Sequence, residues 1–342
     1  TEHTFAEKDF ALKHNEDEIS VDTNFAAQNF WKEALIRFFN KKSAVLGLVL
    51  IVVIVLLAVF GPGMNSYTYS GQDLSQKNFA PRVPGIEQFG ILDGSEKMST
   101  TTGTKVTNAY QEKDKPDVYY WFGSDLYGRD IWTRTWEGAR VSLIIAVAAA
   151  IIDMLIGMSY GLISGYFGGR VDMVMQRFLE VANGIPRLVI VTLLLLVLQP
   201  GMVTIIFALM LTEWVGMSRI ARAEMLKLKD QEFVLASRTL GAGSFFIIFK
   251  EVLPNIIGPI ITQVMFSIPT AIFTEAFLSF VGLGIPVPQC SLGSLISELY
   301  NSFTTHPYQI IPPIVVMSLL MLSFNLVADG LREALDPKMK SM

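Results

Sequence analysis

A chain of 342 residues that is 51% hydrophobic and only 17% charged lies outside the range of ordinary soluble proteins and reads as an integral membrane protein. Its net charge of −4 sums over charges that are segregated along the chain, and no basic stretch argues for nucleic acid. Cys290 is the only cysteine, which excludes a disulfide or a cysteine-based metal site within one chain, and His3, His14 and His306 all fall outside the apolar runs.

Residues 1–24 are rich in Asp and Glu and hold no apolar core of a cleavable signal, so a loosely held tail is expected. From Phe25 the pattern changes. Phe30, Trp31, Ala34, Leu35, Phe38 and Phe39 recur at helical spacing opposite Lys32, Arg37, Lys41 and Lys42. That pattern suits either an interfacial helix on anionic headgroups or a plain extension of the first span. Residues 1–42 are read as a cytoplasmic N-terminal tail with an interfacial helix and 43–60 as the first transmembrane helix, an apolar run closed by Gly61-Pro62-Gly63.

Residues 61–140 form a polar insert ending in Tyr119, Tyr120, Trp121, Trp132 and Trp136, an aromatic belt before the next span. The insert buries too small a core to stand alone, so it is expected to lean on the membrane domain or a partner. Residues 141–166 are span two, with Asp153 and a series Gly157, Gly161, Gly165 that lets helices approach closely. Span three is awkward: 188–198 is too short and must recruit 171–186 despite Arg177, Glu180 and Arg187, as one long helix perturbed at Gly184-Ile185-Pro186. Residues 202–217 are span four. Residues 256–281 are span five, where neighbouring helices tolerate Pro259 and Pro269, and 310–327 are span six, with Pro312 and Pro313 in its first turn. The expected fold is an all-α polytopic membrane protein of six transmembrane helices, with a core domain over 141–330 and a tail over 331–342.

Six Lys/Arg lie between Arg219 and Lys250, four more in the N-terminal flank, and Arg332, Lys338 and Lys340 in the tail, whereas 199–201 and 284–309 hold none. The positive-inside bias therefore predicts cytoplasmic termini, a cytoplasmic loop over 219–255 and an extracellular insert.

That loop is unusual, because it reads as a helix, a glycine turn and a second helix ended by proline. Glu232, Val234, Leu235, Ala236, Ser237 and Leu240 give a helix with one apolar face and one of small residues. Gly241 is placed to close it left-handedly, Ser244 to cap the next helix, and Leu253-Pro254 to stop that one. Such a hairpin can pack on its own bundle or dock in a protein groove. Ala236, Ser237, Gly241 and Leu253-Pro254 keep the spacing of the Glu-Ala-Ala (EAA) loop of ABC-importer permeases, with Leu235 at the first Glu and Glu251 at the Ile position.

Three further stretches extend the resemblance. The run from Phe122 through Gly123, Ser124, Asp125, Gly128, Arg129 and Asp130 to Ile131, with Gly138-Ala139-Arg140-Val141-Ser142-Leu143 after it, is similar to the segment before span two in dipeptide and oligopeptide permeases of the C type. Gly165-Tyr166-Phe167-Gly168-Gly169-Arg170-Val171-Asp172 is similar to the next loop of those permeases, and the run from Glu275-Ala276-Phe277 to Gly284 also resembles them. The resemblance implies a type I ABC-importer transmembrane domain forming half of a peptide path. It also implies a homologous second permease subunit, two cytoplasmic ATPases, an extracellular solute-binding protein and surrounding membrane lipid, in a bacterial cytoplasmic membrane. Nickel and glutathione permeases share the pattern.

The chain itself is expected to need no cofactor. It has no Gly-Lys dipeptide and so no phosphate-cradling loop, which leaves ATP and Mg to the partner ATPases, and no metalloprotease or serine-hydrolase motif marks it as an enzyme. An ion-coupled secondary transporter would build its coupling carboxylates into a repeat bundle, and the dominant feature here is instead the loop. Asp153, Glu213 and Glu275 are the in-span acids; each reads either as a contact on the translocation path or as a hydrogen-bonded structural carboxylate.

Overall fold

The computed structural model of the chain describes residues 30–100 and 103–335; the acidic leader and the end of the C-terminal tail lie outside them. Helix α1 (Phe30–Asn40) is broken from α2 (Lys42–Phe60) at Lys41, whose backbone is extended at φ −84°, ψ 102°. A two-stranded antiparallel ribbon follows, β1 (Ser95–Thr100) with β2 (Gly103–Asn108), in the register Ser95 to Asn108. Its Thr- and Val-bearing second strand suits a pleated edge. After the short α3 (Ala109–Glu112), α4 (Ile131–Phe167) is a single helix of 37 residues, N-capped by the Asp130 carboxylate, which accepts from the Thr133 N–H at 2.8 Å.

Next come α5 (Gly169–Gly184) and α6 (Arg187–Val197), with an 80° bend between them. The sequence predicts one perturbed helix here. The sharp bend replaces it because Pro186 forces Ile185 into extended backbone, φ −81° and ψ 123°. Helices α7 (Met202–Thr212) and α8 (Trp214–Leu228) run on through Glu213 as one 27-residue span, longer than the expected 202–217. Helix α9 (Glu232–Thr239) crosses the loop. Then α10 (Ser244–Phe246), a π-helical stretch Ile247–Val252 and α11 (Leu253–Leu278) run on as one helix into a second π stretch Ser279–Leu283, 40 residues in all with a kink at Gly282, whose φ is +89°. The expected second loop helix is thus the start of span five. Pro254 does not end it: proline sits in the first turn of α11, where the missing N–H is tolerated, directly after the wider π turns. Gly243 rather than Ser244 occupies the cap position, with no side-chain cap. The chain closes with α12 (Leu292–Tyr300), held by a Ser291/Ser294 capping box, and α13 (Ile311–Leu335).

Five of these continuous helices are long and apolar enough to cross a membrane, and the bent pair α5–α6 makes six. The core lies where α4, α11 and α13 meet, around Ile145, Ala149, Ile272, Leu320 and Phe324. The glycine series sets the α4–α8 contact: a methyl at Gly157, Gly161 or Gly165 would collide with the Trp214 carbonyl, the Ser218 carbonyl or the Met225 side chain.

The insert has its own small aromatic core of Phe79, Tyr110 and Tyr120, with Tyr67 stacked on Tyr120 at 4.5 Å. Burial pushes the Tyr110 and Tyr120 hydroxyls up, so both stay protonated donors, Tyr110 to the Ala80 carbonyl at 2.7 Å. The insert is bolted to the bundle by buried charge. Arg129 donates to Asp125 at 2.6 Å and to Glu298 of α12 at 2.7 Å, while Arg134 of α4 donates to Asp125 at 2.9 Å and pairs with Glu298 at 3.0 Å. Gln309 adds bonds to the Ser124 carbonyl and to Asn78.

Candidate functional site: the loop between α8 and α11

The loop is built from the residue upward on one buried anchor. Val234 is fully buried, packed with Met225, Ile247, Ile248 and Val252, so this side chain seats α9 on its own bundle instead of offering a contact outward. Its neighbours face away. Leu235 is 43% exposed and Leu240 87% exposed, with Phe233, Glu232 and Ala236 also on the outer side and Ser237 half-buried. Leucines left this open on a short helix form an apolar knob that water solvates poorly.

The turn after α9 has the geometry that a left-handed glycine provides. Gly241 has φ +85°, its N–H donates to the Arg238 carbonyl at 3.1 Å, and the Ala242 N–H donates to the Ser237 carbonyl at 3.0 Å. Those two bonds satisfy carbonyls at the helix end and fix the direction in which Leu240 projects. Leu253 is half-buried and Pro254 exposed where α11 begins.

Two contacts that periodicity does not announce fasten this loop to the rest. The Arg238 guanidinium lies 5.5 Å from the centre of the Tyr166 ring at the end of α4. Arg222 of α8 grips Asp172 of α5 through two bonds of 2.6 and 2.5 Å, and Asp172 also accepts from Ser164. Phe245 and Phe249 stack at 6.1 Å on the outward side of the span-five helix. A complementary Asp and Arg fifty residues apart is the only trace of the grip in the sequence.

The in-span acids are not brought together with the loop. Asp153 is 3% exposed; its Oδ2 accepts from Ser267 of α11 at 2.5 Å, and Oδ1 has no hydrogen-bond partner among the described residues. Glu275 is fully buried and accepts from Ser142 at 3.1 Å, Ser279 at 2.7 Å and Ser291 at 2.5 Å, joining α4, α11 and the start of α12. Glu213 is half-buried and accepts from Thr274 at 3.4 Å. Asp153 and Glu275 thus sit inside this chain's own bundle as ties between helices, and Glu213 alone of the three reaches the surface.

The family follows from comparison with known proteins. Residues 157–341 match the family described as binding-protein-dependent transport system inner membrane component, and residues 29–81 match the N-terminal transmembrane domain of oligopeptide transport permease C. The oligopeptide transport system permease protein OppC of Bacillus subtilis is 41% identical over 312 residues, 91% of each chain. The dipeptide transport system permease protein DppC of the same organism is 38% identical over 332 residues, 97% of this chain and 93% of the relative. Among solved structures, an inward-facing MetNI methionine ABC transporter superposes with a TM-score of 0.50 at 15% identity, covering 58% of this chain and 94% of that one, a likeness of fold. The chain belongs to the binding-protein-dependent transport system inner membrane components, the membrane permeases of ABC importers, and carries the N-terminal domain of the oligopeptide permease C branch.

Proposed function

We propose that the chain is one of two homologous permease subunits of an ATP-driven importer of short peptides. Two cytoplasmic ATPases dock on the loop between α8 and α11, and an extracellular binding protein delivers cargo on the side of the insert. The observation that carries the reading is the knob: Val234 pins α9 to its own bundle while Leu235 and Leu240 stand out on a turn of fixed direction. A helix so presented transmits a push into α8 and the span-five helix as a body, which is what coupling to a motor requires. The peptide as cargo is supported by relatives named for oligopeptide and dipeptide transport that align along nearly the whole chain. Lys227, Lys229 and Arg238 at the loop support a cytoplasmic position for it, with the insert outside. Glu213, half-exposed in this subunit, lies on the path completed by the second permease.

The test is reconstitution in liposomes with the second permease, both ATPases and the binding protein. Uptake of a labelled oligopeptide should require ATP and every component. Uptake driven by an ion gradient in liposomes holding this chain alone would refute the reading.

A further inference from the structure

Helix α1 presents a surface that the importer reading does not use. Its inner face is committed: Ala34 and Phe38 are buried against α13, in a cluster with Ala44, Val327 and Ala334. A side chain at Gly330 of α13 would strike Ala44 and the Phe38 ring, so α1 and the start of α2 are clasped tightly to that helix. Lys41 closes the clasp by pairing with Glu333 at 2.6 Å. The outer face is left open, with Leu35, Ile36 and Phe39 all more than half exposed.

Beside those apolar groups stand Lys32 and Lys42, both exposed, and Arg37, half-buried and paired with Glu33 at 3.4 Å. Residues 30–42 hold four basic side chains against one acid. The break at Lys41 sets α1 off from the axis of α2, at the point where the apolar run of the first span begins. An amphipathic helix joined to a membrane span, apolar outside and flanked by lysines, is complementary to the boundary between headgroups and acyl chains of an acidic leaflet.

We propose that α1 is an anionic-phospholipid sensor. Lys32, Arg37 and Lys42 engage acidic headgroups, and Leu35, Ile36 and Phe39 enter the acyl boundary. The bound bilayer holds α1 on the end of α13, where Leu335 lies against Gly258 of α11, one turn beyond Pro254 and the coupling loop. Bilayer charge is thereby read at the end of the bundle that faces the motors. This regulatory part rests on the importer reading; the lipid contact does not.

The experiment uses the assembled complex in vesicles of phosphatidylcholine with rising fractions of phosphatidylglycerol. A nitroxide is placed at Ile36→Cys, with Cys290 buried and unreactive. Its collisions with oxygen and with an aqueous nickel chelate give its depth without nucleotide or cargo. The label should lie below the headgroups, and peptide-stimulated ATPase activity should rise severalfold with phosphatidylglycerol. Lys32→Gln with Lys42→Gln should need at least about twofold more of that lipid for the same depth and activity, since each basic residue at an acidic surface is worth about a fivefold change in local affinity. A label exposed to water, a label shielded from both reagents because the acidic leader or a partner subunit covers α1, or an unchanged lipid titration in the double variant would overturn the sensor. A label at the right depth in a complex that moves no peptide would leave the lipid contact standing and sink the importer reading instead.

Discussion

At the scale of single residues, glycine and carboxylate positions divide into those that geometry fixes and those it leaves free. Gly161 lies against the backbone of α8 at Ser218, whereas Gly216 has open space around its Cα. Gly161→Leu should therefore cost about 1–3 kcal/mol or more through overpacking, while Gly216→Ala should be close to neutral. Thermal unfolding of the purified subunits in one detergent separates the two, and equal melting temperatures would show that the helices do not meet at Gly161. Glu275 makes a second case. Removing its carboxyl leaves three buried serine hydroxyls without their acceptor, so Glu275→Ala should destabilise by about 2–5 kcal/mol. Glu275→Gln keeps one acceptor and should lose less. If Glu275→Ala instead melts like the parent but abolishes peptide uptake, the residue belongs to the path and not to the helix contacts.

At the scale of elements, the loop makes the sharpest prediction, because its three leading apolar residues have different fates. Leu235→Asp and Leu240→Asp put a carboxylate where an apolar groove of the ATPase should close over it, at a cost of several kcal/mol of docking, and should abolish peptide-stimulated ATPase activity while leaving the subunit folded. Val234→Asp should instead unfold the α9 seat and lower the yield of the isolated subunit. Gly241→Val should impair coupling with a strain of about 1–2 kcal/mol from the left-handed backbone. Intact stimulation in both leucine variants would mean that α9 is not the coupling element.

The contrast also shows what could be read from the sequence. The helix, its glycine stop and the close-packing glycines of α4 were legible because backbone chemistry leaves few alternatives to Gly241, Gly157 and Gly161. The facing of α9 was not. In eight residues the run Phe233-Val234-Leu235 covers most of the circumference, so periodicity cannot say which of the three turns inward. Pro254 misled because a proline is read as a stop, whereas here it occupies the first turn of α11 behind a π stretch. The grip of Arg222 on Asp172 depends on a partner fifty residues away in the chain, which local pattern does not encode.

For the whole molecule, orientation is the property on which the transport reading stands. Asp117→Cys in the insert should react with an impermeant thiol reagent added outside intact cells, and Lys227→Cys at the end of α8 should react only after permeabilisation. The native background is silent, because Cys290 is fully buried and burial pushes its thiol up to about 11. The opposite labelling would invert the topology. One dimension of the fold bears on how such a molecule moves. Helix α4, with its 37 residues, is a rod roughly 55 Å long, nearly twice the thickness of a hydrocarbon core of about 30 Å. Its first turns are locked to the insert through Arg134, and its last are locked beside the loop through Tyr166 and Ser164. Tilted as a rigid body by about 10° about its middle, such a rod would swing each end by roughly 5 Å, in opposite directions. Under the importer reading, events at the two faces of the membrane would then be a single rotation seen from two sides, closing at one end being opening at the other.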